Sequence, residues 1–137
     1  MIDHYQFSDE VFIERFKNLT LKPQYFNHEA HLRLAWIYIM KLGIDRAIPL
    51  VCDQIKTYAT AQGAANKYNE TVTVAAVKAV YHFMMRSDTS SFKDFIGDYP
   101  RLKTNFKDLL AQHYDIDIFN LEIARSSFLE PNLLPFD

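Results

Sequence analysis

The sequence predicts an all-α fold, an up-down helical bundle of about four main helices with short C-terminal helices. Three observations predict it. The 137 residues include only three glycines and five prolines, too few turn formers for a chain of hairpins. Apolar residues recur at helical spacing over several long stretches. Capping residues stand at the heads of those stretches, and glycines close two of them. Apolar residues are 49% of the chain, enough to bury one core without disulfides or a structural metal. Residues 1–137 therefore read as a single all-helical domain.

Ser8 caps a first helix that runs to about Asn18, with Asp9 and Glu10 favourably placed in its first turn. Val11, Phe12, Phe16 and Leu19 supply its apolar side, and Pro23 breaks the chain after it. Asn27 caps a second helix that ends near Leu42, with Gly43 as its stop. This helix is apolar almost all round, as a central helix should be. Glu29 and Arg33 share its one narrow polar strip, where they can pair at i,i+4 and face outward.

Asp45 is placed to cap a third helix, with Pro49 in the first turn and Gly63 at the end. A polar loop, Ala64 to Tyr68, leads to a fourth helix from about Asn69 to Arg86. Its valines favour a strand locally, but its length and its alanines favour the helix. Ser91 to Asp94 opens a short helix, and Leu102 to Gln112 forms another after Pro100. Phe128, Leu133, Leu134 and Phe136 suggest that the tail packs back on the body.

The formal net charge is −2 and there is no run of Lys or Arg, so nothing draws in nucleic acid. The apolar run from Leu34 to Met40 is far too short to span a bilayer. The N-terminus lacks the basic start and long apolar run of a signal peptide. Cys52 is the single cysteine, which favours a reducing compartment and a buried thiol. A cytoplasmic protein is expected, with no membrane or nucleic-acid partner. Phosphate-loop glycine motifs, a nucleophile elbow and a sustained heptad are all missing from the sequence.

The chemistry-bearing segment is His28-Glu29-Ala30-His31. His28 and His31 lie one turn apart, on the apolar side of their helix. If the second, third and fourth helices run up, down and up, the second and fourth begin at the same end. Glu70 then projects inward on the wheel face of Val74, Val77, Tyr81 and Met84. Two imidazoles and a carboxylate would meet there, with Tyr68 as a wall or donor.

Three readings stay open for that cluster. His28, His31 and Glu70 form a structural network. Alternatively they build a small-molecule or catalytic pocket with a histidine base. The third reading is a divalent metal site on His28, His31 and Glu70. The chain is thus read as a small-molecule-binding protein or metal-dependent enzyme, or else as a non-catalytic structural or interaction domain. The HExxH spacing of zinc peptidases is absent. Arg125, Glu130 and Asn132 are placed to fold over the cluster as a lid, while His82 lies about 18 Å along its helix from Glu70.

Phe26-Asn27-His28-Glu29-Ala30-His31-Leu32-Arg33-Leu34-Ala35-Trp36 and Lys67-Tyr68-Asn69-Glu70-Thr71-Val72-Thr73 resemble the motifs of a family of small, mostly bacterial, all-helical proteins. The patterns there are F-x-H-x-x-H-L-x-x-A-W and Y-H-E-T-x-T. The ending Glu130-Pro131-Asn132-Leu133-Leu134-Pro135 is similar to the family's P-[DN]-L-x-P. The resemblance spans residues 20–135. It places His28, His31, Tyr68, Glu70 and Thr71 at motif positions, and Asn69 where the family shows a histidine.

Overall fold

Eight α-helices and three short 3-10 turns make up residues 3–136, the part of the chain described by this computed structural model. The helices are α1 (Asp9–Lys17), α2 (His28–Leu42), α3 (Ile44–Ala61), α4 (Glu70–Met84), α5 (Phe92–Asp98), α6 (Arg101–Thr104), α7 (Phe106–Ala111) and α8 (Glu122–Ser126). No strand occurs among the described residues. Helices α2, α3 and α4 pack on one another, with α8 against α4, α5 and α6 against α2, and α1 against α3.

Local chemistry sets the helix starts. The side chains of Ser8, Asn27, Asn69 and Ser91 each accept a backbone N–H two or three residues into the helix that follows. The third helix differs from expectation. It begins at Ile44 without a side-chain cap, and Gly43 alone separates it from α2. Gly43 has φ 83° and ψ 165°, a conformation open essentially only to glycine. Pro49 consequently sits in the second turn, where it removes one helical N–H bond.

Leu32 through Ile39 are all buried, so α2 is the central helix. Leu32 and Leu34 are fully buried, each contributing about 2 kcal/mol by transfer from water. Trp36 is part of this core. The Tyr38 hydroxyl donates to Gln54 at 2.8 Å, and the rings of Phe26 and Tyr58 lie 5.2 Å apart. Those two contacts run in opposite chain directions, so α2 and α3 are antiparallel. The stretch from Leu102 to Gln112 is not one helix; it breaks at Asn105 into α6 and α7.

The tail packs on α4 through Thr71. The buried Thr71 hydroxyl donates to Ser127 O at 2.8 Å and accepts from Leu129 N–H at 3.1 Å. Ala75, Leu110, Tyr114, Ile118, Ala124 and Phe136 form a second apolar cluster beneath it. No helix among the described residues is long and apolar enough to cross a membrane.

Candidate functional site

A cleft of about 660 Å³ opens where α2 and α4 begin. That shared end is the one expected from alternating helix direction. One wall is α2, with His28, His31, Leu32 and Ala35. The opposite wall is the start of α4, with Tyr68, Val72, Ala76 and Val77. Val51 and Ile55 of α3 contribute further apolar surface, and residues 103–108 of the α6–α7 corner form the third side with Phe119. The volume is in the ordinary range for small-molecule sites.

His31 is half-buried in this cleft, its ring stacked on Phe26 with centroids 3.8 Å apart. Its Nδ1 lies 2.7 Å from the Asn27 carbonyl oxygen. A carbonyl only accepts, so Nδ1 carries the proton. Burial pushes the imidazole pKa down to about 4, and the neighbouring His28 adds to this against the opposing bond to Asn27. At neutral pH the ring is therefore uncharged and Nε2 is a bare acceptor. Among the described residues none bonds that nitrogen.

His28 is exposed and turned another way. Its Nε2 donates to the Leu102 carbonyl oxygen at 2.9 Å, and its ring lies 4.7 Å from that of Phe106. This ties α2 to the α6–α7 corner. The expectation that both histidines lie on a buried apolar face is thus corrected for His28, while His31 is half-buried against Phe26. Both sit in the first turn of α2, on either side of the fully buried Ala30.

Tyr68 lines the cleft, and its hydroxyl donates to Glu70 Oε1 at 2.5 Å. Burial, then this bond, raises the phenol above its ordinary range. Behind it lies Cys52, whose thiol burial pushes up to about 11 despite a contact with the Tyr68 hydroxyl. Cys52 is buried and free, as expected of a packing thiol.

The His/His/Glu site and the metal reading built on it are overturned. Among the described residues no group of three or more His, Cys, Asp or Glu side chains is arranged to hold a metal ion. His28 and His31 each turn one ring nitrogen onto a backbone carbonyl, while the Glu70 carboxylate is bound to Tyr68. His28, His31 and Glu70 are therefore not a ligand set for a divalent cation. The lid is also corrected. Arg125 reaches the Asn66 carbonyl and Asn132 bonds Asp115, and neither they nor Glu130 line the cleft. His82 lies outside the cleft lining as well.

The polar strip on α2 departs furthest from expectation. Arg33 is 4% exposed, and the N-terminal turn covers it. Its guanidinium donates to the carbonyls of His4 and Phe7 and to Asp9. Glu29 turns to His4 Nε2 at 3.2 Å and to the Tyr5 hydroxyl at 3.0 Å, with Lys103 Nζ at 3.5 Å. Burial opposes ionisation of Glu29, but the bonds from His4 and Tyr5 outweigh it and the carboxyl stays below its usual range. His4 is fully buried, and burial holds its pKa down. The pairing of Glu29 with Arg33 is thus replaced by a link through His4. An Arg on an otherwise apolar helix was the available signal, because a buried guanidinium needs many acceptors.

Comparison of the chain with protein-family models, with curated proteins and with solved structures returned no match.

Proposed function

We propose that the chain is a binding protein for a small organic molecule with a largely apolar body, held in the cleft between α2, α4 and the α6–α7 corner. The observation that carries this is His31. Its Nδ1–H is committed to the Asn27 carbonyl, which leaves Nε2 as an acceptor for a ligand N–H or O–H. Around it, Phe26, Leu32, Val72, Val77, Phe106 and Phe119 offer apolar surface.

The titration behaviour favours binding over acid–base chemistry. An imidazole with a pKa of about 4 is a poor proton acceptor at neutral pH, and a phenol raised above its ordinary range is a poor donor of its proton. His31 and Tyr68 are therefore assigned to orientation, with Glu70 bracing Tyr68 and His28 holding the third wall. The motif resemblance supports this choice of site, because its two central segments supply both main walls. The single cysteine supports a reducing, cytoplasmic place of work.

The test is a fragment screen read by amide NMR shifts, on the wild type and on Ala76→Phe, which narrows the cleft. Binding predicts hits whose shifts cluster on residues 28–35, 68–77 and 103–108 and vanish in the variant. Circular dichroism confirms that the variant is folded. Hits that map elsewhere, or that persist in Ala76→Phe, overturn the reading.

A further inference from the structure

The cleft has a mouth whose charge runs against that of the chain. The protein carries a formal net charge of −2. Yet Lys67, Lys103 and Lys107 all line this one cleft, and Asp108 is the one acid lining it among the described residues. All three lysines are solvent-exposed residues of the cleft lining, whose deeper surface is apolar.

Two of them also have partners within the protein, Lys107 on a cleft residue and Lys103 on a carboxylate that does not line the cleft. Lys103 Nζ lies 3.5 Å from Glu29, a carboxylate already shared with His4 and Tyr5. Lys107 Nζ sits 5.1 Å from the centre of the Phe119 ring, itself a cleft residue. Asn27 adds a donor there, because its side-chain oxygen caps Ala30 and leaves the amide –NH2 unengaged.

We infer that the ligand is an organic anion, a carboxylate or a phosphate monoester on an apolar body, with its charged group at the mouth among Lys67, Lys103 and Lys107. This rests on the binding reading above and adds the ligand's chemical class to it. The apolar body lies inward against Val72, Val77 and Phe106, and the low-dielectric wall there strengthens the attraction at the rim. A cationic ligand meets like charges at the rim, and a neutral one gains no attraction from them.

The test is a titration of the intact protein, followed by amide NMR at low and high salt. The probes are 1-naphthylacetate, 1-naphthyl phosphate and 1-naphthylacetamide, which share one aromatic body and differ in charge. The anions are expected to bind about tenfold tighter than the amide, in line with two or three partly exposed charge pairs. That margin should shrink in the triple variant Lys67→Met, Lys103→Met, Lys107→Met, and shrink with added salt. Whichever anion holds the larger margin identifies the head group. Amide binding as tight as either anion in the wild type overturns the anionic class and leaves the binding reading standing. A margin unchanged in the triple variant overturns the assignment to these lysines. Shifts at the cleft from none of the three probes remove the binding reading, and this inference with it.

Discussion

Arg33 and His4 lock the N-terminal turn onto the central helix. The guanidinium Nη1 donates to the His4 carbonyl at 2.6 Å and to His4 Nδ1 at 3.2 Å. Because a guanidinium only donates, His4 Nδ1 is an acceptor and the proton resides on Nε2, facing Glu29. One imidazole thus joins a buried cation to a carboxylate that in turn contacts Lys103 at the cleft mouth.

Removing the cation from this link should be costly. Arg33→Met leaves the carbonyls of His4 and Phe7 and the Asp9 carboxylate without their donor. A loss of about 3 kcal/mol is expected in urea unfolding. A loss under about 1 kcal/mol would show that the turn is not held by this residue.

Acid should destabilise the protein well before its carboxylates titrate. His4 and His31 both have folded pKa values below 6.5, with His31 at about 4. The unfolded chain therefore binds more protons than the native one below pH 6.5, and stability falls as pH drops through that window. It is fully present above 6.5. The slope between about pH 6 and 4.5 is expected to approach 1.4 kcal/mol per pH unit for each histidine that stays neutral. Below that window Glu29 adds to the loss, because its carboxyl also titrates lower in the native state. Urea midpoints measured from pH 8 to 4 check this; a flat profile down to 4.5 contradicts it. In His31→Phe the slope should lessen.

Cys52 should be nearly inert in the native state. With its thiol pushed up to about 11, the thiolate fraction at pH 8 is roughly a hundredfold lower than in an unfolded chain. Labelling by a disulfide reagent should therefore be slow in buffer and fast in urea. Equal rates would mean that the thiol is neither buried nor perturbed.

Thr71→Val should loosen the tail without unfolding the bundle. The hydroxyl serves both Ser127 O and Leu129 N–H, which are 56 and 58 residues away in sequence. A destabilisation of about 1–2 kcal/mol is expected, with faster hydrogen exchange at the Leu129 amide. Exchange at Leu129 unchanged from wild type would exclude Thr71 as the anchor.

The starts of α1, α2, α4 and α5, the central place of α2 and the buried state of Cys52 could be read from the chain alone. Those properties depend on contacts of three or four residues, or on an apolar pattern that any packing must bury. Asn27 caps α2 and Asn69 caps α4 through bonds to Ala30 and Val72, as the residue types imply. That α2 and α4 begin at one shared end also followed from alternating helix direction, but of the expected His28, His31 and Glu70 only the two histidines line the cleft there, and Glu70 is bound to Tyr68 instead. Which atoms those side chains address did not follow. The His28 partner is a carbonyl 74 residues away, and the cover over Arg33 is a turn near the opposite end of the chain from the tail. A helical wheel shows which way a side chain points but not what docks against it. The short pieces that supplied those partners, the turn at His4–Gln6 and the α6–α7 corner, have too little periodicity to announce their own positions. Their place is decided by the polar groups on α2 that must be satisfied once water is gone, which only the assembled tertiary structure brings within reach.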